Sequence, residues 1–254
     1  MADPTPAPPR DNLIRMLGVA PELRKAEDGS GMPTMVGHFG PFNQWTEIHS
    51  AWEGDFMERV APGAFSKTFS ENRNNMRVLF QHGQDPSIGE KVLGPIAELR
   101  EDENGGYFEV PLLDTSYNRD LAAGLEQGLY GTSWRFGVMK ESFVRSPKKS
   151  DYNPEGIPER TLLEMRVAEF GPVTFPAYAG ASAGVRSLTD DFIVRQLMGD
   201  PDKLARLLAQ YGRTALPGAA STTHSEAGSR KQAVVPVHRF QSQGDFLAWL
   251  KDRA

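Results

Sequence analysis

Five histidines and no cysteine narrow the chemistry open to this 254-residue chain. Without a thiol there is no cysteine nucleophile, thiolate zinc site or disulfide staple, so covalent catalysis falls to a serine, threonine, lysine or carboxylate. A hydroxyl nucleophile needs a base to take its proton, and the base needs an acceptor on its other ring nitrogen to hold it in place. His224 and His238 stand in or beside an Ala/Ser/Thr-rich stretch that offers no packed shell. His38 and His49 lie in the first apolar segment and stay open as candidates. His82 is the best placed, because it follows the apolar run Met76, Val78, Leu79 and Phe80 and precedes Gly83, where another backbone can approach closely. For the nucleophile, Ser133 sits among small and apolar residues, with Gly131 and Gly137 relieving crowding on either side. The carboxylate is left open between Glu169 and Asp85. Glu169 also suits an ordinary strand edge, and Asp85, three residues past His82, also suits a turn cap.

Other chemistries lack their minimum parts. No Gly-rich phosphate loop ends in Lys-Ser or Lys-Thr, no Gly-x-Gly-x-x-Gly follows a strand, and no His-Glu-x-x-His occurs, so nucleotide, cofactor and zinc-protease readings are set aside. The histidines show no metal-ligand spacing, and no metal or cofactor is expected. A net charge of −5 without a long basic run leaves no footprint for nucleic acid. No apolar run approaches bilayer length, and the N-terminus lacks the basic start and apolar stretch of a secretory signal, so a cytoplasmic protein is expected. The serine does not stand in the Gly-x-Ser-x-Gly elbow of the α/β-hydrolases: Arg135 occupies the second glycine's position and the histidine comes earlier in the chain.

The elements that must position these residues are mostly short strands. Residues 1–12 carry four prolines and read as a disordered lead. Strands are expected over Thr34–Phe42 and Phe56–Val60, the latter running into a turn and a short helix at Ala61–Phe65. Asn75–His82 reads as a strand that delivers His82 to its edge. Ile96–Arg100 and Tyr107–Leu113 flank Asn104-Gly105-Gly106, a hairpin signal. Tyr117–Gln127 has helical spacing at Leu121 and Leu125, with Ser116 as the cap and Gly128 as the stop. Tyr130–Val138 and Thr161–Glu169 read as strands, joined by the polar, proline-rich connection Ser146–Pro158. The two prolines in Phe170–Pro176 are expected to limit regular pairing there.

The chain is therefore expected to be α+β and β-rich, mostly an antiparallel barrel with peripheral helices over residues 13–185. A helical extension follows at 186–212, where Leu204, Leu207, Leu208 and Tyr211 share a face. A flexible linker is expected at 213–236 and a short amphipathic helix at 237–254, with Phe240, Phe246, Leu247, Trp249 and Leu250 on its apolar side, a shape suited to docking.

Five stretches in series resemble the prohead protease family of tailed phages: Met35–Phe39, Glu58–Phe65, Val78–His82, Gly131–Phe136 and Ala168–Tyr178. The resemblance spans about residues 35–185. It implies an assemblin-like β-barrel and a serine endopeptidase that cleaves scaffold or capsid-protein extensions inside an assembling procapsid in the bacterial cytoplasm; outside the resemblance, the apolar tail on its flexible linker adds the expectation that the chain trims itself within that linker. Its partners would be the major capsid protein or scaffold, and a homo-oligomer is compatible with it. Carried over by motif, His82 is the base, Ser133 the nucleophile and Glu169 the third member. Gly131, Arg135 and Arg166 would serve the oxyanion or substrate. Two departures stand out: Trp134 replaces a more common Phe, and Gly171-Pro172 replaces Ser-Leu after the acid. Two rivals are a non-enzymatic assembly scaffold on the same fold and a small-molecule esterase or amidase with the same nucleophile.

Overall fold

The computed structural model describes residues 7–25, 31–174 and 185–199. In chain order the strands are β1 (Leu13–Leu17), β2 (Glu22–Arg24), β3 (Thr34–Phe39), β4 (Thr46–Ser50), β5 (Gly54–Val60), β6 (Arg77–Val78), β7 (Glu98–Asp102), β8 (Gly105–Pro111), β9 (Tyr130–Val144), β10 (Glu159–Thr174) and β11 (Val185–Ser187). The helices are α1 (Ser66–Glu71), α2 (Ser116–Glu126) and α3 (Thr189–Gly199). The strands and the site described below belong to a compact unit of residues 1–195, and the second unit, residues 196–254, is described only at the C-terminal end of α3. The expected linker and amphipathic tail helix, the apolar face at Leu204–Tyr211 and the first six residues of the lead lie outside the described residues.

Two sheets carry the fold. One has the order β11-β1-β9-β10-β5-β4 with β6 beside β10, and the other the order β2-β3-β8-β7. The strand-rich α+β class is as expected, but a closed barrel is not what the described strands form: the first sheet ends at β11 and β4, the second at β2 and β7. Alternation of apolar and polar residues says which face of a strand is buried. It does not say which strand lies beside it, and closure is a matter of neighbours. Pairing is antiparallel except where β10 runs parallel to β5 and to β6.

Aromatic side chains from both sheets fill the core. Phe39 of β3 stacks on Phe170 of β10 at 5.1 Å, meets Phe65 edge-on at 5.2 Å and lies 5.9 Å from Trp134 of β9. Phe108 of β8 closes the cluster against Phe170 at 4.9 Å. Each such ring removes a large apolar area from water, so the faces bearing Trp134 and Phe170 are fixed, and with them the opposite faces of β9 and β10.

Several boundaries differ from the sequence reading for identifiable reasons. β9 extends past Val138 into polar residues because the Glu141 carboxylate takes hydrogen bonds from the buried Arg160 at 2.7 Å and from Arg10 at 2.7 Å. The end of the proline-rich lead runs beside this strand, with the carbonyls of Pro9 and Arg10 accepting from Arg160 and from the Val138 N–H. Helix α2 is capped by Thr115, which accepts from the Asn118 N–H, rather than by Ser116, which is its first helical residue. Nor does Pro172 interrupt β10, which stays paired with β9 as far as Thr174, while Pro176 lies outside the described residues. The Phe170 carbonyl accepts from the Leu79 N–H, on the side away from β9. Two residues on, the missing N–H of Pro172 falls on that same side, where the short ladder with β6 has already ended.

Candidate active site

Register brings the first three residues together. On β9, Ser133 and Arg135 are two apart and share a face; on β10, Gly171 lies opposite Ser133 and Glu169 opposite Arg135. β1 flanks β9 on its other side with Met16 opposite Ser133. Ser133 and Glu169 are therefore placed by a ladder of backbone hydrogen bonds on adjacent strands, whose register shifts between Val167 and Glu169 and is regular from there to Thr174.

His82 arrives differently. The expected strand over Asn75–His82 shrinks to the two residues of β6, and the chain then enters a 3₁₀ turn over Phe80–Gly83. Gln81 (φ 51°, ψ 34°) and His82 (φ 57°, ψ 28°) are both left-handed, a conformation that costs side chains with a Cβ roughly 1–2 kcal/mol each. The turn is held in that shape from several sides. Leu79 N–H is bonded to the Phe170 carbonyl at 3.0 Å, the Gln81 amide donates to the Thr174 hydroxyl, and both imidazole nitrogens are engaged. Strained backbone maintained by its surroundings is a recurrent feature of functional sites.

Gly171 explains one departure from the family pattern. A Cβ at that position would lie 2.0 Å from the Leu79 carbonyl oxygen. Only a glycine lets the segment leading to His82 dock this closely on β10.

The resulting chain of contacts is continuous. The Ser133 hydroxyl lies 2.7 Å from His82 Nε2, and His82 Nδ1 lies 2.7 Å from Glu169 Oε1. The same carboxylate oxygen accepts from Arg135 Nε at 3.1 Å. Ser133 also has the Arg15 carbonyl 2.8 Å away, so its single hydroxyl proton can serve either that carbonyl or the imidazole, and attack requires the second. All of this is enclosed: Ser133 is fully buried and the side chains of His82 and Glu169 are 6% and 1% exposed.

Beneath β1 lies a second polar cluster that the sequence reading missed. Arg15 is fully buried, with Nη2 at 2.7 Å from Glu53 and Nε at 2.7 Å from Glu58, and its Nη1 donates to Ser187 and Thr189. Burial works against the Arg15 charge, but Glu58 and Glu53 outweigh it and raise its pKa further; burial likewise opposes the Glu53 charge, and Arg15 outweighs it and lowers the carboxyl's pKa. The cluster fixes the strand whose carbonyl faces Ser133. One signal for it was present: an arginine inside the apolar strand Leu13-Ile14-Arg15-Met16-Leu17 has to find buried partners.

The remaining candidates separate cleanly. His38 pairs with Asp102 at 2.8 Å in the second sheet, and His49 sits with Asp55 and Glu47 at the exposed β4–β5 hairpin, so neither meets Ser133. Asp85 caps a turn, accepting from the N–H groups of Ser87 and Ile88. Gly131 lies on β9 opposite Val173. Arg135 is committed to Glu169 and, at 3.3 Å, to Asn12. Arg166 is exposed on β10 and, with Arg135, Glu169, Asn72 and Arg77, lines a cavity of 290 Å³ behind the carboxylate. No metal-binding cluster occurs among the described residues.

A serine hydroxyl, an imidazole and a carboxylate joined in that order define the working parts of a serine hydrolase. The comparisons narrow the class. The family model for the caudovirus prohead serine proteases matches residues 21–191, and the chain belongs to that family. It is a serine protease with a role in capsid maturation. Among solved structures it is similar to the bacteriophage T4 capsid assembly protease, gp21, with 11% identity over 56% of this chain and 98% of that chain, at a TM-score of 0.33. No curated protein sequence matches the chain.

Proposed function

We propose that the chain is the endopeptidase that cuts scaffold or capsid-protein extensions inside the assembling procapsid, and that it also cuts itself. Ser133 attacks the peptide carbonyl carbon. His82 takes the hydroxyl proton at Nε2 and returns it to the leaving amine, while Glu169 holds the Nδ1 proton and stabilises the imidazolium that forms. A water then releases the acyl group by the same route. The observation that carries this reading is the unbroken sequence Ser133 Oγ, His82, Glu169 with 2.7 Å at each step.

Arg135 acts here through Glu169, to which its Nε is bonded. It holds the carboxylate toward the imidazole instead of meeting the oxyanion. The C-terminal region beyond residue 212 is the part best suited to docking on a shell or scaffold protein and to being trimmed.

Coexpression with the capsid and scaffold proteins of the same phage tests the assignment. Ser133→Ala is expected to give a folded protein, with unprocessed substrates and an untrimmed chain by mass spectrometry. Processing retained in that variant refutes it.

A further inference from the structure

A protease whose nucleophile is fully buried cannot reach a peptide. Attack places the carbonyl carbon about 3–3.5 Å from the serine oxygen, in space that must be open to an extended chain, yet Ser133 and the His82 imidazole are covered. Something has to move, and two elements are the candidates. β1 is the tighter, because it is paired on both edges, to β9 and β11, and carries the buried Arg15 cluster. α3 is the looser.

The contacts of α3 fall into two groups. Its first residue is anchored deep: the Thr189 hydroxyl accepts from the Ile14 N–H at 3.0 Å and from Arg15, and Ser187 just before it donates to Glu53 at 2.7 Å. Past Thr189 two attachments bear on access to the site, a clasp and a plug. The Asp190 carboxylate accepts from the Ser50 hydroxyl at 2.7 Å and from the N–H groups of Ala51 and Trp52, at an exposed turn. The Phe192 ring stands edge-on to the His82 imidazole at 5.9 Å and lies under the Arg135 guanidinium at 5.6 Å, while the Gln84 amide donates to its carbonyl. Phe192 is 5% exposed, so the ring is wedged in and not merely nearby.

We propose that α3 is a built-in lid: Phe192 plugs the ground over His82 that substrate must occupy, Asp190 latches the helix to the β4–β5 turn, and Thr189 is the hinge about which it lifts. The inference rests on the reading of Ser133 and His82 as the catalytic pair and adds its regulation. The protease is latent as folded, and its activity follows the fraction of molecules with α3 raised. The division of contacts suits that role. The hinge end is tied to the same buried cluster that fixes β1, so opening leaves the sheet and the Ser133–His82–Glu169 line in place. The latch is a carboxylate at the surface, reachable by a partner or a competing peptide.

Two readouts on the full-length chain test the lid separately from catalysis. Diethyl pyrocarbonate acylation of His82, mapped by mass spectrometry, reports access to the site without requiring turnover, with the exposed His49 as the internal reference. Fluorophosphonate labelling of Ser133 reports the reactive nucleophile, with Ser133→Ala as the blank. In the wild-type chain both reactions are expected to be slow. Phe192→Ala and Asp190→Ala should each speed both by about tenfold or more, as expected when reactivity scales with the open fraction. Asp190, at the exposed turn, carries the test if the Phe192 variant does not fold. Folded variants in which His82 and Ser133 react no faster than in wild type overturn the lid. Faster His82 acylation with Ser133 silent in every form overturns the protease reading instead, and leaves α3 nothing to guard.

Discussion

Replacing Glu169 by Gln isolates what its charge contributes. Oε1 accepts two hydrogen bonds, from His82 Nδ1 at 2.7 Å and Arg135 Nε at 3.1 Å. An amide fits the same space, and turning its oxygen toward those two donors keeps both bonds, with the NH₂ taking the place of Oε2, which is buried and accepts no hydrogen bond among the described residues. Ring orientation and tautomer are thus retained in the variant, while the negative charge beside the developing imidazolium is gone. Two unit charges 4 Å apart interact by about 4 kcal/mol at an effective dielectric of 20. Arg135 on the same oxygen offsets part of this, leaving roughly 3 kcal/mol, and at about 1.36 kcal/mol per decade the rate should fall on the order of a hundredfold. The assay is the second-order rate of fluorophosphonate labelling at Ser133, with diethyl pyrocarbonate acylation of His82 measured in both forms to correct for any change in the opening of α3. Thermal unfolding checks that the variant is folded. A folded Glu169→Gln protein that labels within about threefold of wild type would falsify the role given to the carboxylate.

Gly171→Ala should be among the most damaging single-methyl changes in the chain, because its Cβ would meet the Leu79 carbonyl oxygen at 2.0 Å. Overpacking of this kind costs about 1–3 kcal/mol, and here the strand that yields is the one leading to His82, so labelling of Ser133 should fall even at temperatures where the fold survives. Glu53→Gln breaks one side of the buried Arg15 cluster and is expected to lower stability by about 3–5 kcal/mol, measured by denaturant unfolding. The same carboxyl sets an acid limit. Its pKa is lowered in the folded state by Arg15, so its contribution is complete above the unfolded value of about 4.3 and is lost as pH falls below that through the folded pKa. The melting temperature should therefore drop on acidification below that point. A wild-type melting temperature that holds steady there contradicts the linkage.

Composition and residue types narrowed the chemistry, and the resemblance to a known family selected it. With no cysteine and five histidines, the candidates for nucleophile and base were few. His82 and Ser133 stood out locally, but Glu169 was preferred over Asp85 only through the resemblance carried by the segment beginning at Ala168; the fold brings all three into line. Strand positions were legible from short apolar runs bounded by turn residues: β3, β5, β8 and β9 each bury side chains in the core, among them Phe39, Phe56, Phe108 and Trp134.

The tertiary structure decided what depends on neighbours. Nothing in Gln81 or His82 announces a left-handed backbone. That conformation exists because Phe170, Thr174, Glu169 and Ser133 hold the turn from β9 and β10. Gly171 read as a departure from the family pattern until the approach of Leu79 showed which atom needs the space. Open sheets in place of a barrel, Arg15 with its two carboxylates, and Phe192 over the imidazole all join residues tens to well over a hundred positions apart. A sequence fixes which side chains can pair, bury or react; which of them meet is set by strand neighbours and packing, and these are properties of the folded chain as a whole.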